Sequence, residues 1–166
     1  MKFILGLANS HALDFFWRKV STLLRGGFYQ YFTQFIEQLP IASATQIQEA
    51  LVVHLVEYLL WLNRYFQLRI TGNNARDALM LGVWEQVLNG LVYELYFPEE
   101  LHARGLRLFD LVQQAGLPAL DTVPEAQRLS RLRKEFERVY DLQHPLRAAL
   151  HDLQTVEEVR IIEGKT

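Results

Sequence analysis

The sequence predicts a mainly α-helical protein, a bundle built around two long helices. Half of the 166 residues are hydrophobic and 22% are charged, so the chain can form a substantial core. Over most of the chain the apolar residues recur every three or four positions, which is the spacing of one face of an α-helix. The length suits one domain, or a compact domain with an appendage.

Residues 1–41 differ in charge from the rest of the chain. They hold four basic and two acidic residues, a formal charge of +2, whereas the other 13 basic and 17 acidic residues give the remainder −4. The apolar positions between residues 13 and 24 have helical spacing, and Asn9-Ser10 supplies capping side chains before them. Gly26 and Gly27 then end any helix, because paired glycines favour a turn.

The segment after the glycines is rich in aromatic residues, which by itself would suggest a strand. Its apolar residues nevertheless repeat at helical spacing: Phe28, Tyr31, Phe32, Phe35, Ile36 and Leu39. The period favours a short helix that ends at Pro40.

Two long helices are predicted next, from Thr45 to about Leu68 and from Ala75 to Phe97. Apolar side chains widen the face of the first one, so neighbours should bury it on more than one side. Thr71–Asn74 provides a turn and a cap between the two helices, and Pro98 closes the second.

Shorter elements complete the chain. A helix from Leu106 ends at Gly116, a usual C-terminal stop, and Pro124 opens the next helix. Pro145 starts one more helix, and we expect a short strand at Val159–Ile162 near the C-terminus.

Composition excludes several classes of protein. Without cysteine there are no disulfides, thiolate zinc sites or thiol nucleophiles, and a net charge of −2 excludes a uniformly basic nucleic-acid coat. The most apolar run, Leu51–Leu62, is interrupted by His54 and Glu57 and is shorter than the roughly 20 residues that a membrane span needs. The apolar start of the chain is too short for a signal peptide, so we expect a cytoplasmic protein.

Catalytic motifs are mostly missing from the sequence. There is no Gly-rich phosphate loop, no dinucleotide or S-adenosylmethionine glycine motif and no nucleophile turn. His54 and Glu57 resemble half of a di-iron motif, and Glu99 with His102 has the spacing of the other half. Carboxylates from two further helices cannot be assigned, so we interpret His54 as a polar break in an apolar helix.

A second partial motif resembles a nuclease centre. Asp152, Glu163 and Lys165 could hold Mg²⁺ and orient a water if the latter two followed a buried strand. The strand at Val159–Ile162 would have no following element to bury it, and a metal site needs a rigid support. We therefore predict no catalytic and no metal-binding residue.

The clearest functional signal is a basic cluster near the paired glycines. Cations can position a phosphate backbone, bare glycine permits close approach, and Gln and Tyr can hydrogen-bond to bases or phosphates. The candidate DNA-binding residues are Arg18, Lys19, Arg25, Gly26, Gly27, Tyr29, Tyr31 and Gln34. The alternative is a solvated helix face beside an ordinary turn.

Several phrases of the sequence occur in the order seen in one enzyme family. They are Phe3-Ile-Leu-Gly-Leu-Ala-Asn-Ser10, Leu24-Arg-Gly-Gly-Phe-Tyr29, Phe35-Ile-Glu-Gln-Leu-Pro-Ile41, Leu91-Val-Tyr-Glu-Leu-Tyr-Phe-Pro-Glu-Glu-Leu101 and Val159-Arg-Ile-Ile-Glu-Gly-Lys165. In these phrases the chain resembles the C-terminal part of a type IIG restriction–modification DNA adenine methyltransferase, with the end of a TaqI-like specificity domain and a helical tail.

The resemblance implies a division of the chain and a role. Residues 1–41 would be a short α/β remnant of the target-recognition region, and residues 42–166 a helical C-terminal domain. The implied partners are double-stranded DNA and the methylase and nuclease part of the parent enzyme. Because the adenine-methylation motif and a complete nuclease centre are missing, the chain looks like a C-terminal fragment without activity of its own. S-adenosylmethionine and Mg²⁺ are expected only in the parent enzyme.

A different class of function also fits the sequence. Apolar faces on the two long helices would suit a helical protein–protein interaction module, or a homodimer, that makes no contact with DNA.

Overall fold

The computed structural model describes residues 1–21, 33–67 and 74–165, and in these ranges the chain contains helices and no β-strand. The mainly α fold predicted from the sequence is therefore confirmed. The N-terminal helices are α1 (Lys2–Ala8), α2 (His11–Val20) and the short α3 (Thr33–Ile36).

The two long helices lie close to the predicted bounds, with α4 at Gln46–Gln67 and α5 at Ala75–Tyr96. Shorter helices follow: α6 (Pro98–Ala103), α7 (Leu108–Ala115), α8 (Arg128–Val139), α9 (Pro145–Leu153) and α10 (Glu157–Ile162). Single turns of 3-10 helix at Leu120–Thr122 and Glu125–Gln127 connect α7 to α8.

Helix α5 lies at the centre of the bundle. It contacts α2, α4, α6, α7, α8 and α9, and its eight consecutive residues 87–94 are all buried. A helix that is enclosed on every side must be apolar nearly all round, and that is what the sequence of this stretch supplies. Trp84 of α5 packs edge-to-face on Tyr58 of α4, with ring centroids 5.5 Å apart.

Three buried polar side chains of α5 each bind a neighbouring element. Asp77 accepts two hydrogen bonds from Arg133 of α8, at 2.8 and 2.6 Å. Asn89 accepts from the first amide of α2. Glu94 accepts from the amide of Phe109 in α7 at 2.9 Å. Since an unpaired buried polar group is costly, these bonds fix where the neighbours lie on α5.

The first helix packs very closely on α4. A Cβ atom added to Gly6 would lie 2.8 Å from Val56 Cγ2 and 3.0 Å from Val52 Cγ1. The absence of a side chain at Gly6 thus allows the approach. Helices α1 and α2 share one hydrophobic core with α4 and α5, and the domain boundary at residue 41 stays a prediction.

Local signals mark the ends of several helices as expected. Asn74 caps α5 through its side-chain oxygen, which accepts from the Asp77 amide at 2.8 Å. Gly116 ends α7 with φ 59° and ψ 45°, the left-handed conformation that suits glycine. Pro145 begins α9, and Pro98 stands beyond α5 as predicted while also opening α6. Pro124 is followed only by a 3-10 turn, and the α-helix begins at Arg128.

The predicted C-terminal strand is wrong, because Val159–Ile162 belongs to α10. Its β-branched residues favour a strand by propensity alone. In the described ranges no strand is present to pair with them, and packing of α10 on α2 buries Val159 instead. The described part of the α/β remnant predicted at residues 1–41 is likewise helical or irregular, with no strand.

A helix that crosses a bilayer needs roughly 20 predominantly apolar residues. In residues 1–21, 33–67 and 74–165, no helix is both long and apolar enough to cross a bilayer.

The close contact at Gly6 gives a prediction with a matched control. Gly6→Ala should lower the free energy of unfolding by about 1–2 kcal/mol, because two valine methyl groups must move. Gly82→Ala, on α5 with no atom within 4 Å of the added Cβ, should raise it by up to about 1 kcal/mol. Urea denaturation of both variants measures the two changes in the free energy of unfolding. Changes of the same sign would contradict the packing described for α1.

The N-terminus of α9 gives a second prediction. His144 Nδ1 accepts a hydrogen bond from the Leu146 amide, and burial, then the charge of Arg138, lowers the pKa of His144 below its ordinary 6.5. A folded pKa below the unfolded one means that this stabilisation is present above about pH 6.5 and is lost as pH falls through the folded value. His144→Asn keeps a capping oxygen that does not titrate.

The wild-type chain should therefore lose stability relative to the His144→Asn variant between about pH 7.5 and pH 5. Urea midpoints at half-unit steps of pH should show the wild-type midpoint fall relative to that of the variant. Parallel curves would mean that the cap does not titrate.

Candidate nucleic-acid interface

The predicted DNA-contacting residues begin in the last turn of α2, a helix whose start is fixed by three hydrogen bonds. Ser10 Oγ accepts from the Leu13 amide at 3.3 Å and donates to the Leu7 carbonyl at 2.7 Å. The His11 amide donates to Asn89 Oδ1 at 2.8 Å. The beginning of α2 is thereby held against both α1 and the central helix.

The inner face of α2 carries the buried residues Ala12, Leu13 and Trp17. Because helical residues repeat every 3.6 positions, this burial places Arg18 and Lys19 on the outer face, where both are exposed. Their assignment as DNA-contacting residues stays a prediction.

Both cations have neighbours on their own helix. Arg18 Nη2 lies 2.7 Å from Asp14 Oδ2, an i,i+4 ion pair in which the side chains are 59% and 50% exposed. Lys19 Nζ lies 5.2 Å from the centroid of the Phe15 ring. One acid and two bases leave this outer face with a formal charge of +1, and the cations also complement the helix dipole.

The remaining candidates are only partly covered by the described residues. Gln34 is exposed on α3, and its backbone carbonyl accepts from Gln38 Nε2 at 2.7 Å. The other predicted DNA-binding residues lie outside the described residues: Arg25, Gly26, Gly27, Tyr29 and Tyr31.

The two halves of the di-iron-like motif do not come together as metal ligands. Glu57 accepts from Lys2 Nζ at 2.7 Å. His102 Nε2 lies 2.7 Å from Glu94 Oε1. The spacing in the sequence had suggested Glu99 as its partner. Across the ranges that the structure describes, no group of three or more His, Cys, Asp or Glu side chains could hold a metal ion.

The nuclease-like residues are engaged elsewhere. Glu163 pairs with Lys165 and accepts from the Tyr93 hydroxyl at 3.3 Å. Burial, and the charge of Glu163, raise the pKa of Tyr93. Asp152 is exposed and lies beside His151. Glu163 thus ties the C-terminal end of the chain to α5.

Sequence patterns did not indicate a second set of cations, on α8. Arg133 binds Asp77, while Arg131 and Arg138 both bind Glu135, at 3.0 and 2.6 Å. The two carboxylates are about 5% exposed, whereas the three arginine side chains are 43–45% exposed. The i,i+3 and i,i+4 spacing around Glu135 could have revealed one half of this network, but the partnership with Asp77 spans 56 residues.

These arginines on α8 hold the bundle together. Arg138 also donates to the Ala115 carbonyl at the end of α7, at 2.6 Å. Buried carboxylates pair with three of the five basic residues of α8. The helix therefore adds less positive potential than the number of its basic residues suggests.

No family model, curated protein or solved structure matches this chain.

The α8 network predicts unequal effects for two similar substitutions. Arg133→Ala leaves Asp77 buried without its cation and should cost about 2–4 kcal/mol of folding free energy. Arg131→Ala leaves Glu135 paired with Arg138 and should cost less than about 1 kcal/mol. Chemical denaturation compares them, and an equal loss would show that Asp77 does not depend on Arg133.

Proposed function

We propose that this chain is a non-catalytic helical module of a restriction–modification DNA methyltransferase, where it helps to recognise and grip double-stranded DNA. Catalysis would lie in the methylase part of the parent enzyme. The observation that carries the proposal is the exposed pair Arg18 and Lys19 in the last turn of α2, shortly before the Arg25-Gly-Gly27 phrase.

The geometry of Arg18 supports a contact with phosphate. Its partner Asp14 is half exposed, and an exposed ion pair contributes about 0–1 kcal/mol. Exchange of that carboxylate for a DNA phosphate would therefore cost little. Arg18 offers several donors to phosphate oxygens, while Lys19 provides a point charge. Such contacts set affinity and register, and base readout would come from other residues.

The chemistry of the buried acids supports a role without catalysis. Asp77, Glu94 and Glu135 are the buried carboxylates in the described ranges, and each one binds an internal partner.

A second candidate function, a helical protein–protein interaction module without DNA contact, is favoured by an apolar groove. This groove of about 310 Å³ lies between α2, the end of α5 and α10, and Phe15, Phe16, Phe97 and Ile161 line it. Apolar grooves between helices can receive the apolar face of a partner.

Salt-dependent DNA binding separates the two functions. The whole chain should bind a labelled duplex at 25 mM NaCl, and the double variant Arg18→Gln/Lys19→Gln should reduce the slope of log K against log salt by about two. Arg25→Ala should reduce it by about one. Fluorescence anisotropy between 25 and 200 mM NaCl measures each slope.

A control double variant makes the same change in net charge at positions away from α2. Arg107→Gln/Lys134→Gln, exposed at the N-cap of α7 and on α8, should leave the slope unchanged. An equal effect of both pairs, or no binding at 25 mM NaCl, would refute the assigned contact. Light scattering that shows a tight dimer indifferent to DNA would favour the interaction module.

A further inference from the structure

A second groove, of about 400 Å³, lies where α5, α8 and α9 meet. Its apolar part is formed by Val83, Val139 and Leu150, and its polar part includes Arg147 and the Gln86 amide. Among the described residues that line it, none is acidic. That is notable in a chain where acidic residues outnumber basic ones.

Arg147 is fixed in this groove by two contacts that carry no negative charge. Its guanidinium carbon lies 4.1 Å from the centroid of the Tyr140 ring, and Nη1 donates to the Tyr140 carbonyl. Tyr140 in turn stacks on the buried Phe136, with centroids 5.2 Å apart. The guanidinium is therefore held in place before any ligand arrives, so little side-chain entropy is lost on binding.

Three arginines of α8 differ from Arg147 in this respect. Arg131, Arg133 and Arg138 each pair with a buried carboxylate. Arg147 makes no ion pair with any residue in the described ranges. Among the residues that the structure describes, no carboxylate pairs with its charge.

The surroundings of the groove add further donors. His151 of α9 and Gln154, the C-cap residue of α9, also line it. Lys165 Nζ, which pairs with Glu163, lies 2.8 Å from Gln154 Oε1. Two acids adjacent in sequence to lining or neighbouring residues have their own partners, since Glu137 pairs with Arg76 and Asp152 lies beside His151.

We propose that this groove binds a small organic oxyanion, a carboxylate or phosphate carried on a short apolar stem. The anionic head would bind the Arg147 guanidinium, whose planar fork of N–H groups matches both kinds of oxyanion. The stem would cover Val83, Val139 and Leu150. The volume lies within the range of small-molecule sites, and the groove uses no residue of the DNA-contacting end of α2.

Three compounds that share a short alkyl chain and differ in the head group test the proposal. The whole chain is titrated with hexanoate, hexyl phosphate and hexanol, and binding is followed by the shifts of backbone amides in α5, α8 and α9. At least one anion should bind saturably in the millimolar range, the order expected for so few heavy atoms, and hexanol at least tenfold more weakly. The anion with the higher affinity identifies the head group.

The variant that tests the site adds a negative charge without removing a contact of Arg147. Gln86→Glu, at an exposed position of α5, should weaken anion binding at least fivefold. Gln114→Glu, exposed on α7, makes the same change in net charge and should leave the affinity unaltered. Arg147→Lys keeps the charge but loses the fork, and should weaken binding several-fold.

Three outcomes would overturn the proposal. Neither anion binds saturably, hexanol binds as tightly as the anions, or Gln86→Glu and Gln114→Glu change the affinity equally. Thermal unfolding of each variant confirms that a loss of binding is not a loss of fold.

Discussion

The architecture depends on the enclosure of α5. A carboxylate or amide side chain that is buried on this helix is costly unless it binds a partner inside the protein, because water is not there to supply one. Asp77, Asn89 and Glu94 meet that requirement with three different neighbours, α8, α2 and α7. The same burial that forms the core therefore also sets the positions of the surrounding helices.

Two cationic surfaces result from this arrangement, and they differ physically. On α2, Arg18 faces an exposed Asp14 that solvent and salt can screen. On α8, Arg133 and Arg138 face carboxylates that the protein itself covers, so these ion pairs belong to the bundle and are hard to exchange for an external anion. Abundance of basic residues is thus a poor guide to where this chain would bind a polyanion.

Much of the fold could be predicted from sequence because its signals are local. The long helices follow from their apolar period, and Ser10, Asn74, Gly116 and Pro145 mark ends that the structure has. The strand expected at Val159–Ile162 failed because β-branched propensity is weaker than the packing that buries one face of α10.

The candidate sites were less predictable, since they depend on distant contacts. Exposure of Arg18 and Lys19 followed from the helical period, and the Asp14 partner could have been found four residues away. By contrast, Glu94 meets the Phe109 amide only because α5 and α7 cross. The groove at Arg147 requires three helices to converge, which no short-range pattern encodes.

The side chain of the N-cap residue of α7, Arg107, makes no capping hydrogen bond, and Glu94 of α5 accepts one from the Phe109 amide instead. A helix of eight residues is marginal alone in water, and the first turn of this one is stabilised by a residue from another helix. Its formation is consequently coupled to the assembly of α5, which disfavours partly folded states in which either helix stands by itself. Cooperativity of folding in this bundle thus arises from a shared carboxylate as well as from its apolar interior.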